Sequence, residues 1–252
     1  MSLRRRMTRR VRRSIEATLP IGIVGVVKIE TLDHVALWVC DRDALADFLT
    51  RYLGMHVISR TERFTLVGAD ARRGKLTLFA AEGEREPGTL VRVVLRVRDL
   101  DAAVAELPAG LPVETRERTA LFTGPEGLGL GLAESAEGAE HDIDHVVFRV
   151  PDPEATFRAL AGLGFGVEGA RLEVGDARVE LEQGDPGEPE GPLLNHLGLR
   201  VESAGEHLAE AESLGLEIAD VVDAENTYAV FVWGPDRIKL EYVEHKPTFS
   251  LV

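Results

Sequence analysis

Apolar and polar positions along the chain fall into one pattern written four times. The segments 32–39 (LDHVALWV), 90–97 (LVRVVLRV), 143–150 (IDHVVFRV) and 194–201 (LNHLGLRV) each read as a strand, followed by an Asp- or Ser-containing amphipathic stretch. A repeat of about fifty residues sets the architecture before any local pattern does. In the third copy Asp144 to Val150 alternates as a strand, and Asp152-Pro153-Glu154 opens a helix with Pro at an early position. Ala155 to Leu163 then carries apolar residues at helical spacing, and Gly164 ends the helix, as Gly54, Gly110 and Gly215 end the others. Short β-type runs such as Thr227 to Trp233 and Arg237 to Val243 follow, divided by turns like Gly234-Pro235-Asp236. The unit is βαβββ and the fold class is α+β.

A βαβββ unit has an apolar sheet face that it cannot cover alone, so units must pair, and four modules make two cup-shaped domains. The acidic link Glu134 to His141 is read as the boundary. It divides an N-terminal domain, 27–133, from a C-terminal domain, 142–246, with an extension, 1–26, in front.

That extension carries seven arginines in its first thirteen residues and no acid among them. Followed by LPIGIVGVV it imitates a secretory leader, and Thr8-Arg9-Arg10 a twin-arginine signal. Pro20 interrupts the pattern and no small-residue cleavage site follows. The apolar run is too short to span a bilayer. The segment is therefore read as a disordered extension, or an over-long start, on a cytoplasmic protein. The net charge of −14 becomes −21 without those arginines, since 22 basic residues then face 43 acidic ones. Such a surface repels phosphate backbones, so nucleic acid is not an expected partner. The lone Cys40 excludes an internal disulfide, and Gly164, Gly166 and Gly169 spell GxGxxG after a helix, where a dinucleotide site would open one.

Chemistry enters where the four copies differ. Their third position reads His34, Arg92, His145 and His196. Aligning GPEGLGLGLAE with GPDRIKLEYVE sets Gly131 opposite Glu241, and counting back from the next module adds Thr77 and Glu182. Pairing modules in chain order gives the N-terminal cup His34, Arg92, Thr77 and Gly131, which is no metal site. It gives the C-terminal cup His145, His196, Glu241 and Glu182. Two imidazoles and a carboxylate hold Fe(II) while leaving positions open; a second carboxylate from Glu182 would suit Mn, Ni, Co or Zn as a Lewis acid. His34 is then a relic of the repeat or an interdomain contact. His56, His141, His207 and His245 read as surface or loop residues. Phe231 and Trp233 share the face of Glu241 and are candidates to stack on a planar ligand.

With these residues in place, everything after Val27 resembles the vicinal oxygen chelate superfamily of glyoxalase I, bleomycin-resistance proteins and extradiol dioxygenases. The arrangement is most similar to the two-domain extradiol dioxygenases, whose iron ligands map onto His145, His196 and Glu241. The resemblance implies a catechol-like aromatic and dioxygen as partners, with a homo-oligomer allowed and no membrane role. It departs at Phe231, where those enzymes carry Tyr, at Arg237 in place of a Gly or Pro near the turn, and at two expected histidines. One falls near Asp223; the other falls among Glu180, Glu182 and Gln183. Acid-base work would pass to Glu182 or Tyr228. The alternatives are a glyoxalase-like lyase, isomerase or epimerase with Glu182 on the metal, and a small-molecule-sequestering protein of the resistance type.

Overall fold

The computed structural model describes residues 28–251; the Arg-rich extension and the assumed domain start at residue 27 lie outside them. Four βαβββ modules follow one another. The first comprises β1 (Ile29–Val39), α1 (Arg42–Tyr52), β2 (His56–Arg60), β3 (Phe64–Gly68) and β4 (Lys75–Ala80). The second has β5 (Leu90–Val97), α2 (Leu100–Ala105), β6 (Glu114–Arg116), β7 (Thr119–Thr123) and β8 (Gly129–Glu134). The third has β9 (Ile143–Val150), α3 (Pro153–Ala161), β10 (Gly166–Glu168), β11 (Arg171–Val174) and β12 (Ala177–Gln183). The fourth has β13 (Leu194–Val201), α4 (Ala204–Ser213), β14 (Ile218–Asp223), β15 (Thr227–Trp233) and β16 (Lys239–His245).

The repeated Asp or Ser after each first strand is a helix N-cap. Asp41, Asp99, Asp152 and Ser203 are extended, and each side chain accepts a backbone N–H from the first turn. The helices stop as the repeat anticipates, with Gly54, Gly110, Gly164 and Gly215 all at positive φ.

Modules do pair, but not in chain order. One eight-stranded sheet runs β14-β15-β16-β13-β1-β4-β3-β2, and the other runs β10-β11-β12-β9-β5-β8-β7-β6. The first module therefore joins the fourth through antiparallel β1 and β13, and the second joins the third through β5 and β9. This corrects the expected division into 27–133 and 142–246: residues 90–183 build one sheet, and residues 29–80 and 194–245 build the other. The stretch Glu134 to His141, read as a boundary, is a turn inside one sheet: Arg96 accepts from His141 N–H at 2.8 Å and donates its own N–H to Asp142 O at 2.9 Å. Crossing between sheets falls instead to residues 81–89 and 184–193, which run together: Glu86 N–H donates to Gly191 O at 3.0 Å and Leu193 N–H to Glu86 O at 2.7 Å.

The two sheets share one apolar core, and polar latches fix them to each other. The turn before β8 places the Glu126 carboxylate on the N–H groups of Cys40 and Asp41, at 2.6 and 3.0 Å, just ahead of α1. The matching turn before β16 places Asp236 on the Thr156 hydroxyl of α3, and Tyr242 donates to Leu163 O at 2.9 Å. Arg73 from the first module reaches Asp142 and Asp176 of the other sheet, at 3.3 and 3.1 Å.

His207, expected at the surface, is buried in α4 with its ring stacked on Tyr242 at 4.0 Å. Its Nε2 has no hydrogen-bond partner among the described residues. Burial pushes its pKa down to about 4, so the unfolded chain takes up a proton more readily than the folded one. Stability contributed by the neutral ring is complete above its unfolded pKa of about 6.5 and is lost as pH falls toward 4. We expect His207→Phe to remove on the order of 2 kcal/mol of that acid sensitivity. Urea titrations of both proteins at several pH values across this interval check it; parallel pH dependence would contradict it.

Candidate metal centre

The concave face of the first sheet is written by strand parity. On β1 the even residues His34, Ala36 and Trp38 face the cup, on β4 the odd residues Lys75, Thr77 and Phe79, and on β13 the even residues His196 and Gly198. Phe231 and Trp233 of β15 lie in register with Glu241 and Lys239 of β16. Aromatic contacts trace the wall: Trp38 to Phe79 at 5.4 Å, Phe64 to Phe79 at 5.9 Å, Phe79 to His196 at 6.3 Å, and His196 to Phe231 at 5.1 Å.

At its base three donor atoms converge. His34 Nε2 and His196 Nε2 are 2.9 Å apart, and Glu241 Oε2 lies 3.0 Å from the first and 2.8 Å from the second. All three residues are buried, and among the described residues they are the one such group of His, Cys, Asp and Glu. The histidine brought to His196 and Glu241 is therefore His34; His145, expected there, belongs to the other sheet.

Neighbouring side chains aim both rings. His34 Nδ1 is 2.6 Å from Asp33 Oδ1, and since a carboxylate has no proton to give, the ring donates. Asp33 is itself held by Lys75 Nζ at 2.6 Å and His245 Nε2 at 2.8 Å. His245, also expected at the surface, is thus part of the support. His196 Nδ1 lies 3.1 Å from Asn195 Oδ1. With both Nδ1 atoms so engaged, both Nε2 lone pairs point at each other and at Glu241. That arrangement is stable only with positive charge at its centre, a proton or a cation. Burial opposes charge on His34, yet the Glu241 and Asp33 carboxylates raise its pKa to about 9. Burial likewise opposes ionisation of Glu241, but the two imidazoles hold it well below the usual carboxylate range. Burial lowers His196, an effect only partly offset by Glu241.

The donor set fits a divalent metal. Two imidazole nitrogens and a carboxylate oxygen, 2.8 to 3.0 Å from one another, are a donor set that would hold a divalent ion while leaving other positions open. The fourth repeat-equivalent position is Thr77: Ala36 pairs with Thr77 as Gly198 pairs with Glu241.

The second cup is built from the same positions with other residues. Arg92 and Gly131 face His145 and Glu180, since Val147 pairs with Glu180 and Val94 with Gly131. His145 keeps its Asp144 partner at 2.6 Å, and its Nε2 stands 3.8 Å from a half-exposed Glu180 carboxylate. Burial opposes ionisation of Asp144 too, but His145 and Arg178 hold it below the carboxylate range. Glu182, expected as base or fourth ligand, is tied to Arg149 at 2.6 and 2.9 Å. The count that selected it assumed linkers of equal length, but residues 184–193 are two residues longer than 135–142, which moves the equivalent position to Glu180. Tyr228 lies on the opposite face of β15 from Phe231 and packs into the core beside Gly205 of α4.

A signal for the true pairing was present in the sequence. In the antiparallel β1·β13 pair His34 stands across from Gly198 and His196 across from Ala36. A Cβ on Gly198 would come within 2.4 Å of the His34 ring. In the other sheet His145 stands across from Val94. Two histidines sharing a cup need small residues opposite them, and only modules one and four supply both. His34→Ala, His196→Ala and Glu241→Ala should each lose bound metal, and His145→Ala should keep it, by metal analysis of purified protein. Gly198→Ala retains all three ligands but crowds His34, and should weaken metal affinity by roughly 10–100-fold in competition with a chelating dye. Unchanged affinity would mean that the ring has room to move.

No functionally curated protein matches the chain by sequence. Among solved structures, a Bacillus subtilis protein provisionally described as a dioxygenase is 18% identical, with a TM-score of 0.75 over 88% of this chain and 87% of that one. Glyoxalase I from Zea mays is 17% identical, with a TM-score of 0.69 over 85% of this chain and 92% of that one. At such identities these likenesses speak for the fold. Residues 31–242, from β1 into β16, match the family described as Glyoxalase/Bleomycin resistance protein/Dioxygenase superfamily, and the chain belongs to that superfamily.

Proposed function

We propose that the protein is a metal-dependent dioxygenase that opens a catechol-like aromatic ring, with Fe(II) held by His34, His196 and Glu241. The observation that carries this reading is the three-donor set with Thr77, not a carboxylate, at the fourth equivalent position. His34, His196 and Glu241 would hold the ion and leave it room for a substrate that offers two adjacent oxygens and for dioxygen. Ferrous iron in this site would supply chelation of the diol and activation of oxygen.

The chain's own residues do the rest. Asp33 and Asn195 fix the rings, so the lone pairs are aimed before anything binds. Phe79, Phe231, Phe64 and Trp38 wall the cup, which suits a planar apolar ring and keeps water from it. Glu182, bonded to Arg149, and Tyr228, packed against the core, stand away from the triad and do not serve as its acid or base.

Anaerobic reconstitution with ferrous iron, followed by a catechol panel and air, tests the reading. We expect oxygen uptake with a yellow ring-cleavage product, lost in His34→Ala. No turnover with any catechol, together with conversion of a hemithioacetal or an epimerisable acid using nickel, cobalt or zinc, would replace it with a glyoxalase-like lyase or isomerase. Ligand binding without any turnover would favour a sequestering protein.

A further inference from the structure

The basic residue two positions before the metal-site carboxylate behaves differently in the fourth module from its counterparts. In the first module it is Lys75, level with His34 in the β1·β4 register. Lys75 is buried and its ammonium sits 2.6 Å from Asp33, the residue before that histidine. In the third module it is Arg178, level with His145, and it bonds Asp144, again the residue before the histidine. Module four keeps the base, Lys239, but carries Asn195 where the first and third modules carry aspartate. An amide oxygen cannot neutralise a cation. Among the described residues Lys239 forms no salt bridge. Glu241, the carboxylate two residues on, is already committed to two imidazoles.

Lys239 also faces the cup. It lies on the same side of β16 as Glu241, and its Nζ stands 5.4 Å from the centroid of its cross-strand neighbour Trp233. That indole is clamped at 4.0 Å by Arg237, whose own charge is taken by Glu217 at 3.1 Å. The indole is therefore a fixed wall, and Lys239 is a half-buried, unneutralised cation beside the triad in a protein of net charge −14. Such a charge draws and orients anions more strongly than one in open water.

We infer that Lys239 anchors an anionic group of the substrate, a carboxylate carried by the same molecule whose adjacent oxygens face the triad. The inference rests on the function proposed above and narrows its substrate class to catechol-like aromatic acids. Lys239 is a specificity residue: it selects which molecule enters, and the triad handles the oxygens.

The test compares 3,4-dihydroxybenzoate with its uncharged isostere 3,4-dihydroxybenzamide. Each is titrated without oxygen into wild type, Lys239→Met and Lys239→Arg, with every protein taken both metal-free and zinc-loaded. Calorimetry reads the affinity, and circular dichroism verifies the fold of each variant. Wild type should favour the acid by about tenfold, the size of one charge-assisted hydrogen bond, in both metal states. Lys239→Met should bind acid and amide alike, and Lys239→Arg should retain most of the preference. The same preference in wild type and Lys239→Met overturns the inference, as does the absence of saturable binding of the acid to wild type. Zinc reports separately on the metal reading: if it alters the affinity of neither probe, chelation at the triad fails while the Lys239 preference stands or falls by itself.

Discussion

Three lone pairs directed at one point hold the key to this molecule. His34 Nε2, His196 Nε2 and Glu241 Oε2 lie within 3.0 Å of one another in a buried setting, where their mutual repulsion is little screened. Such a centre must contain positive charge, and everything around it keeps the donors from turning away. Asp33, locked by Lys75 and His245, prevents one ring from flipping, and Asn195 restrains the other. Gly198 leaves the space the first ring needs. Aromatic side chains close the cup above.

This centre exists because the first and last modules meet. Residues 90–183 form a complete sheet between them, and the crossing linkers 81–89 and 184–193 run side by side so that the chain leaves and returns at one place. The ligands come from strands far apart in sequence, while the latches from Glu126 to the start of α1 and from Asp236 to Thr156 hold the sheets in fixed relation. A change that loosens these latches would disturb the three-donor site without touching His34, His196 or Glu241.

One scaffold carries two different sets of side chains. Where the first cup has His34, Thr77, His196 and Glu241, the second has Arg92, Gly131, His145 and Glu180. A guanidinium in place of an imidazole repels a cation, and glycine offers no donor, so the second cup spends its charges on ion pairs such as Arg149 with Glu182. The same difference separates Lys75, sealed by Asp33, from Lys239, left beside Asn195. The two cups thus differ in the residues at equivalent repeat positions, not in the strands that carry them.

The sequence by itself determined the module. Alternation, N-cap and terminal glycine are local signals, each acting over a few residues, and they appear in the structure where the repeat places them. It also named His196 and Glu241 as neighbours of a common site, because the register within one module follows from its own strands. Tertiary structure decided which modules share a sheet, and with that it replaced His145 by His34. Each module has the same unpaired central strand and any two could have covered each other. Burial of apolar surface does not discriminate among such pairings. The discrimination lies in side chains that meet across β1 and β13, where Gly198 faces His34 and Ala36 faces His196. The exchange of Glu182 for Glu180 has a similar cause, since a position counted across a linker inherits that linker's length, and Tyr228 turned away from the cup because one step along a strand reverses the face.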